Sequence, residues 1–291
     1  GVENYFSTPR APIERMAQGG SLVLVEGSVS DQRTLERAFS AAAIDTVYHT
    51  AAQASADPAA APPSYTEETN FRGPRMLLDA CTSHAIPRIV FASSMRLYRT
   101  PLPRRLAEGS PLHPTDVVHL SQLYAEILLA THCRANVRCS GVAARLGIVH
   151  GIGPVMKHDP RFLAAPQRFC LQAINQERLS VATGPSTRLA FVHIEDAVEG
   201  LLRCRTLEGG TRQANVGNEV RTVASIAEAV RRAAGGRGID VGIDYLGPAR
   251  SHSKTEVTSV LSETGFTPLR RFEDSVAELL DFYARAATRM D

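Results

Sequence analysis

Lys157, His158, Asp159 and Arg161 crowd into one short stretch as a polar cluster of charged and titratable side chains. Such a group has two chemical uses: it ligates an anion, or it shares a proton as an acid/base pair. The bland alternative is a solvated loop face. Metal chemistry finds little support. The nine histidines are scattered with no metal-site spacing, and the five cysteines form no CxxC pair. Odd in number, the cysteines read as reduced thiols of a cytosolic protein. The two lysines are Lys157 and Lys254, and neither lies four residues after a tyrosine. A tyrosine acid/base made competent by a lysine one helical turn later is therefore missing from the chain.

The elements that must position such groups follow from alternating short apolar runs and helical stretches. Strands are expected at Leu22–Val25, Thr46–His49, Arg88–Ala92 and Gly141–Leu146. Helices are expected at Asp31–Ala42 with Asp31 as N-cap, at Glu67–Ser83 and at Val117–Arg134. This alternation specifies an α/β, doubly wound, Rossmann-like parallel sheet with helices on both faces. The Gly- and Pro-rich segment from Gly151 to Arg168 reads as a loop. Beyond it, residues 151–291 are expected to form mainly a smaller C-terminal substrate lobe, with some segments returning to the domain of residues 1–150. Arg188–Asp196 leads into a helix, Asn215–Asn218 and Val223–Ala234 read as strand, turn and helix, and Phe272–Ala287 as an amphipathic terminal helix.

Composition bounds the partners. The 291 residues are 44% hydrophobic and 21% charged, with a net charge of +2. Nothing there calls for nucleic acid or an anionic membrane, and no apolar run approaches the roughly 20 residues of a spanning helix. The expected partner is a small molecule, the expected location cytoplasmic.

Several motifs carry a resemblance. Tyr48-His49-Thr50-Ala51-Ala52 is followed by Asn70-Phe71-Arg72-Gly73 and by Val90-Phe91-Ala92-Ser93-Ser94. Then come Ser121-Gln122-Leu123-Tyr124-Ala125-Glu126 and Arg145-Leu146-Gly147-Ile148-Val149-His150-Gly151. Together they resemble the extended short-chain dehydrogenase/reductase family, of the NAD-dependent nucleotide-sugar epimerase/dehydratase type. The resemblance implies NAD as cofactor and a Tyr-x-x-x-Lys pair on the helix at 117–134. Val118 and Gln122 stand at those two positions, so the resemblance is to a degenerate member. It further implies that Ser94 hydrogen-bonds substrate, that Ala51, Ala52, Ser93 and Gln122 lie along the cofactor, and that Asn70 braces neighbouring strand ends there. Ser28 stands where the family has an aspartate at the adenine edge. Arg188 matches an arginine that grips a substrate diphosphate, a task that suits the planar guanidinium fork. Arg250 stands for a second such arginine, and Lys157 and His158 fall in the substrate loop. Asp116 and His119 are the titratable groups nearest the missing tyrosine, and so the candidates to replace it. His150 stands where the family has a tyrosine, and reads as a packed, hydrogen-bonded histidine. Family members are often homodimers through this helix.

The front of the chain is the second departure. Val2-Glu3-Asn4 resembles the end of the family's second strand, with Glu3 as the acidic ribose ligand. The Gly-rich strand-turn-helix that would precede it is not in the chain, so the sheet is expected to be N-terminally incomplete and NAD binding weakened. Either a segment ahead of Gly1 belongs to the gene product, which is the favoured reading, or the sheet closes up in an unusual way. Three functional readings stand: an epimerase/dehydratase relative without hydride transfer; a non-redox isomerase, lyase or cyclase using the same pocket; and a non-catalytic protein that binds an anionic or nucleotide-like ligand.

Overall fold

The computed structural model describes all residues except 56–58, 158, 182–183, 218, 246–253 and 289–291. In the first half, strands and helices alternate: β1 (Val2–Glu3), α1 (Arg10–Gln18), β2 (Val25–Glu26), α2 (Gln32–Ser40) and β3 (Thr46–His49). Then follow α3 (Pro63–Thr66), a π-helical turn at Glu67–Arg72, α4 (Gly73–Ser83), β4 (Arg88–Ser94), β5 (Arg105–Leu106), α5 (Val117–Ala135) and β6 (Ser140–Leu146). The second half comprises β7 (Ile148–His150), α6 (Ala165–Ile174), β8 (Leu179–Val181), β9 (Arg188–His193), α7 (Ile194–Cys204), β10 (Thr211–Val216) and β11 (Glu219–Thr222). It ends with α8 (Val223–Gly235), β12 (Ile243–Tyr245), β13 (Glu256–Val257) and α9 (Phe272–Ala287).

The expected doubly wound parallel sheet is present. Four parallel strands run in the order β10-β6-β4-β3. Its strands are apolar on both faces because both are covered. Ile89 and Phe91 of β4 turn to one side, onto Leu35 and Phe39 of α2, Leu77 and Leu78 of α4, and Leu129 of α5. Val90 turns to the other, with Val142, Ala144, Val216 and Ala197 of α7. The expected N-cap holds: Asp31 accepts from the Thr34 amide at 2.9 Å.

β1 and β2 pair with each other in parallel, Val2 opposite Val25, in a separate two-stranded sheet. Among the described residues β3 pairs only with β4, so the sheet has not closed up around that edge. The strand expected at Leu22–Val25 is shorter, beginning three residues later and ending one later, and the single helix expected at Glu67–Ser83 opens with the π-helical turn.

A second core gathers Phe169, Phe191, Ile226, Val230, Phe272 and Leu279, contributed by α6, β9, α8 and α9. Against it lies the small sheet β11-β9-β7, in which β9 and β11 run antiparallel and β7 and β9 parallel. No described helix is long and apolar enough to cross a membrane.

Candidate functional site

β4 delivers Ser93 and Ser94 to the carboxyl end of the central sheet, where Ser94 sits opposite Leu146 of β6. Successive side chains leave a strand on opposite faces, so the two serines part company. Ser93, expected along the cofactor, is buried and donates to Glu126 Oε1 of α5 at 2.5 Å. Half-buried Ser94 accepts from the Arg96 amide at 3.1 Å and caps the 3-10 turn Met95–Leu97.

Beneath the serines lies a buried polar network. Arg145 of β6 grips Glu126 with both arms, Nε to Oε1 at 2.9 Å and Nη2 to Oε2 at 2.7 Å, with both side chains about 5% exposed or less. Burial disfavours the Arg145 charge, the Glu126 pair outweighs that, and the guanidinium pKa is raised. Arg145 Nη1 also donates to the Tyr98 hydroxyl and the Glu108 carbonyl, and Tyr98 donates to Asn215 Oδ1. Every arm of the guanidinium therefore has a partner, the condition under which a buried ion pair is tolerated. This network went unassigned in the sequence.

Asn70, expected to brace neighbouring strand ends, ties a loop to a helix. The widened π-helical turn carries it. Its Oδ1 accepts from the Gln53 amide at 2.8 Å, and its Nδ2 donates to the Gln53 carbonyl at 2.9 Å and to Ser121 Oγ at 3.0 Å. The loop after β3 is thus tied to α5. With its amide fully engaged, Asn70 acts as a brace, and the neighbouring Gln53 keeps a buried amide oxygen without a partner. Ala51 is half-buried and Ala52 exposed at the same sheet edge.

α5 presents the decisive positions. Val118 is 5% exposed, and Ser121 Oγ donates to its carbonyl at 2.7 Å. Gln122, one turn on, has a buried Oε1 with no hydrogen-bond partner among the described residues. Asp116 caps the helix by accepting from the His119 amide at 2.9 Å. The His119 ring folds back so that Nδ1 stands 2.6 Å from Asp116 Oδ2, off the alignment of a hydrogen bond. Burial first, then the nearby Arg96 charge, lowers the His119 pKa, and Asp116 opposes them. The cap of α5 therefore brings Asp116 and His119 together beside the Ser94–Arg96 turn.

The remaining expected residues scatter. Glu3 Oε1 accepts from the Tyr5 amide at 2.8 Å and so holds its own turn. The Lys157 ammonium lies 5.4 Å from the Phe162 ring centre, and desolvation lowers its pKa against the opposing charge of Glu3. Arg161 pairs with Asp159 and donates to the Ala59 carbonyl, while Ser55 donates to the Arg161 carbonyl. The loop expected to hold substrate is thereby fastened to the segment after β3, and Phe162 meets Phe6, itself stacked on Tyr65 at 3.8 Å. Arg188 opens β9, is half-buried, and makes no hydrogen bond or ion pair among the described residues; desolvation lowers its pKa. His158 and Arg250 lie outside the described residues. His150 is buried against Ser275, Nδ1 to Oγ at 2.8 Å, as a packed, hydrogen-bonded ring. No group of three or more potential metal ligands occurs among the described residues.

A family model described as the NAD dependent epimerase/dehydratase family matches residues 6–217, well over half of the chain. The chain belongs to this family. Curated epimerase/dehydratase relatives include a dTDP-glucose 4,6-dehydratase of Streptomyces griseus, 25% identical over 249 residues, covering 82% of this chain and 71% of that protein. Another is UDP-glucuronic acid decarboxylase 1 of Xenopus tropicalis, 24% identical over 302 residues, covering 98% of this chain and 66% of that protein. Among solved structures of the family, UDP-glucose 4-epimerase from Bifidobacterium longum in complex with NAD+ and UDP superposes with a TM-score of 0.80. It is 21% identical, and the match covers 99% of this chain and 90% of that one.

Proposed function

We propose that this chain is a nucleotide-sugar-binding member of the epimerase/dehydratase family that has lost hydride transfer. One observation carries the reading: the α5 positions of the Tyr-x-x-x-Lys pair hold a buried valine and a glutamine. Valine moves no proton, and an uncharged amide cannot stabilise a tyrosinate. The ligand class is supported by the relatives, whose names carry dTDP-glucose, UDP-glucose and UDP-glucuronic acid. Arg188 supports it from within, as a half-buried guanidinium without a partner among the described residues.

NAD, which the family implies, fits one end of the site. Gln122 offers a buried amide oxygen without a donor, suited to a ribose hydroxyl, and Ala51 and Ala52 are small. The other end fits poorly, because Glu3 is taken by the Tyr5 amide and Ser28 is paired with Ser30. Bound NAD would supply a hydride acceptor; the chain's own residues would hold its ribose at Gln122 and move no proton at position 118.

Calorimetry and a nicotinamide absorbance assay test this together. NAD is expected to bind weakly and UDP-sugars to give no reduced cofactor. Val118→Tyr with Gln122→Lys should then raise turnover by about 10²-fold or more. Arg188→Ala should weaken UDP-glucose binding by roughly one to two decades and leave folding unchanged. Micromolar NAD affinity with ordinary turnover by the unaltered chain overturns the proposal.

A second reading rests on Asp116 and His119. A histidine held neutral by burial, 2.6 Å from a carboxylate and beside the Ser94 turn, has the makings of an acid/base for isomerisation or elimination without redox chemistry. Conversion of a UDP-sugar in the absence of nicotinamide, abolished by His119→Asn, would select this reading. We also propose a homodimer through α5, whose outer face exposes Val117, Leu120 and Ile127.

A further inference from the structure

Far from Ser94, at the other end of α5, two thiols face each other. Cys133 lies in the last turn of α5 and Cys139 immediately before β6, and their sulfurs are 3.5 Å apart. Both are buried, at 6% and 7% exposure, just under a turn whose Val137 is 94% exposed. The backbone fixes the pair: the Cys139 amide donates to the Asn136 carbonyl at 2.8 Å. A Cβ at Gly141 would come within 2.9 Å of the Cys133 sulfur, so that sulfur rests directly on β6. A disulfide needs the sulfurs at about 2.05 Å, an approach of about 1.5 Å that side-chain rotation supplies.

The five thiols are chemically unequal. Burial pushes Cys81, Cys170 and Cys204 up to about 12, which makes them inert at neutral pH. Cys139 is also raised, by the hydrogen bond it shares with Cys133 first and by burial after it. Cys133 alone is lowered, by the Cys139 hydrogen bond first and by the Thr211 hydroxyl as well, against the pull of burial. One sulfur is thus prepared as a nucleophile and its neighbour as the group that resolves the product.

We propose that Cys133 and Cys139 are a redox-active dithiol, a modification site that a peroxide closes to an intramolecular disulfide. The Cys133 thiolate attacks one peroxide oxygen; an S–O bond forms, the O–O bond breaks, and the departing hydroxide takes a proton to become water. The Cys139 sulfur then attacks the sulfenic sulfur, the S–S bond forms, the S–O bond breaks, and hydroxide leaves with the Cys139 proton as a second water. Two thiols lose two hydrogens, and one peroxide becomes two waters. A dithiol reductant reverses the change through a mixed disulfide. The bridge would pin the C-terminal turn of α5 to the start of β6.

Peptide mapping of the whole chain tests this. Trypsin cuts after Arg105, Arg134, Arg138 and Arg145, so the two cysteines fall on peptides 106–134 and 139–145. After one equivalent of hydrogen peroxide these peptides should be found joined, and the five thiols titrated after denaturation should fall by two. Dithiothreitol should restore both. Cys139→Ser should abolish the joined pair and leave a dimedone-reactive sulfenic acid on Cys133, whereas Cys170→Ser should change nothing. Peroxide consumption should slow about tenfold in Cys133→Ser. Retention of all five thiols by folded protein, a link through Cys81, or over-oxidised Cys133 without a link would each overturn the proposal. If Cys139→Ser does not fold, the wild-type map decides alone.

Discussion

At the residue scale, two buried imidazoles, His49 and His150, sit where charge is costly. His49 is buried against Phe91 and its pKa is pushed down to about 4 by desolvation. His150, walled in with His193 and feeling Arg221, falls to about 3, burial being the main cause. In the unfolded chain both take up a proton near pH 6.5, before the folded state does, so the unfolded state binds more protons and stability falls as pH falls. The loss begins near pH 6.5 and continues to about pH 4 for His49 and about pH 3 for His150. Each imidazole should cost roughly 1.4 kcal/mol per pH unit inside its window. Urea midpoints measured between pH 7 and pH 5 check this, and His49→Gln should flatten the slope by its own share. The roles of single residues were unevenly legible. Asn70 and His150 could be read from neighbours in sequence. The Ser93–Glu126–Arg145 contact could not, because it joins a strand, a helix and a second strand whose faces only the packed sheet decides. The tether of the loop that carries Lys157 was illegible for a similar reason: it is fastened to Ser55 and Ala59, about a hundred positions earlier.

At the element scale, β6 and β7 are joined at Gly147 under severe crowding. A Cβ there would meet the Phe191 backbone of β9 at 2.8 Å, and Gly147 itself donates to the Val216 carbonyl of β10 at 2.9 Å. The junction is where the parallel sheet meets the small sheet behind the site. Gly147→Ala should force β9 away and destabilise the fold by about 1–3 kcal/mol, the usual cost of overpacking. A thermal melt checks this, and an unchanged midpoint would show that β9 yields freely. The elements themselves were largely legible: α9 begins and ends where its apolar period does, and α5 follows its cap at Asp116. Glu67–Arg72 was not legible as a π-helical turn, because its composition suits an ordinary helix and the widening serves Asn70's distant partners. β11 was missed because its antiparallel pairing to β9 is a tertiary contact with no periodic signature of its own.

At the scale of the whole molecule, the outer face of α5 sets the expected assembly. Val117, Leu120 and Ile127 are 53%, 50% and 59% exposed at helical spacing, a stripe that a second copy would cover. Light scattering should find a dimer, and Ile127→Arg should shift it to monomer without lowering the melting temperature of the single chain by more than about 1 kcal/mol equivalent. A monomer at all concentrations would leave the stripe as ordinary surface. The fold class and family were legible from motif order alone, while the separation of β1 and β2 from the four-stranded sheet as a pair of their own had to be seen. That division implies a hierarchy of opening. Amide protons of β4 and β6 are shielded by strands on both sides, whereas β1 and β2, among the described strands, pair only with each other and should exchange more independently of the rest. Deuterium should therefore enter residues 1–26 and the outer amides of β3 through frequent local excursions, and reach β4 and β6 only when the entire molecule unfolds.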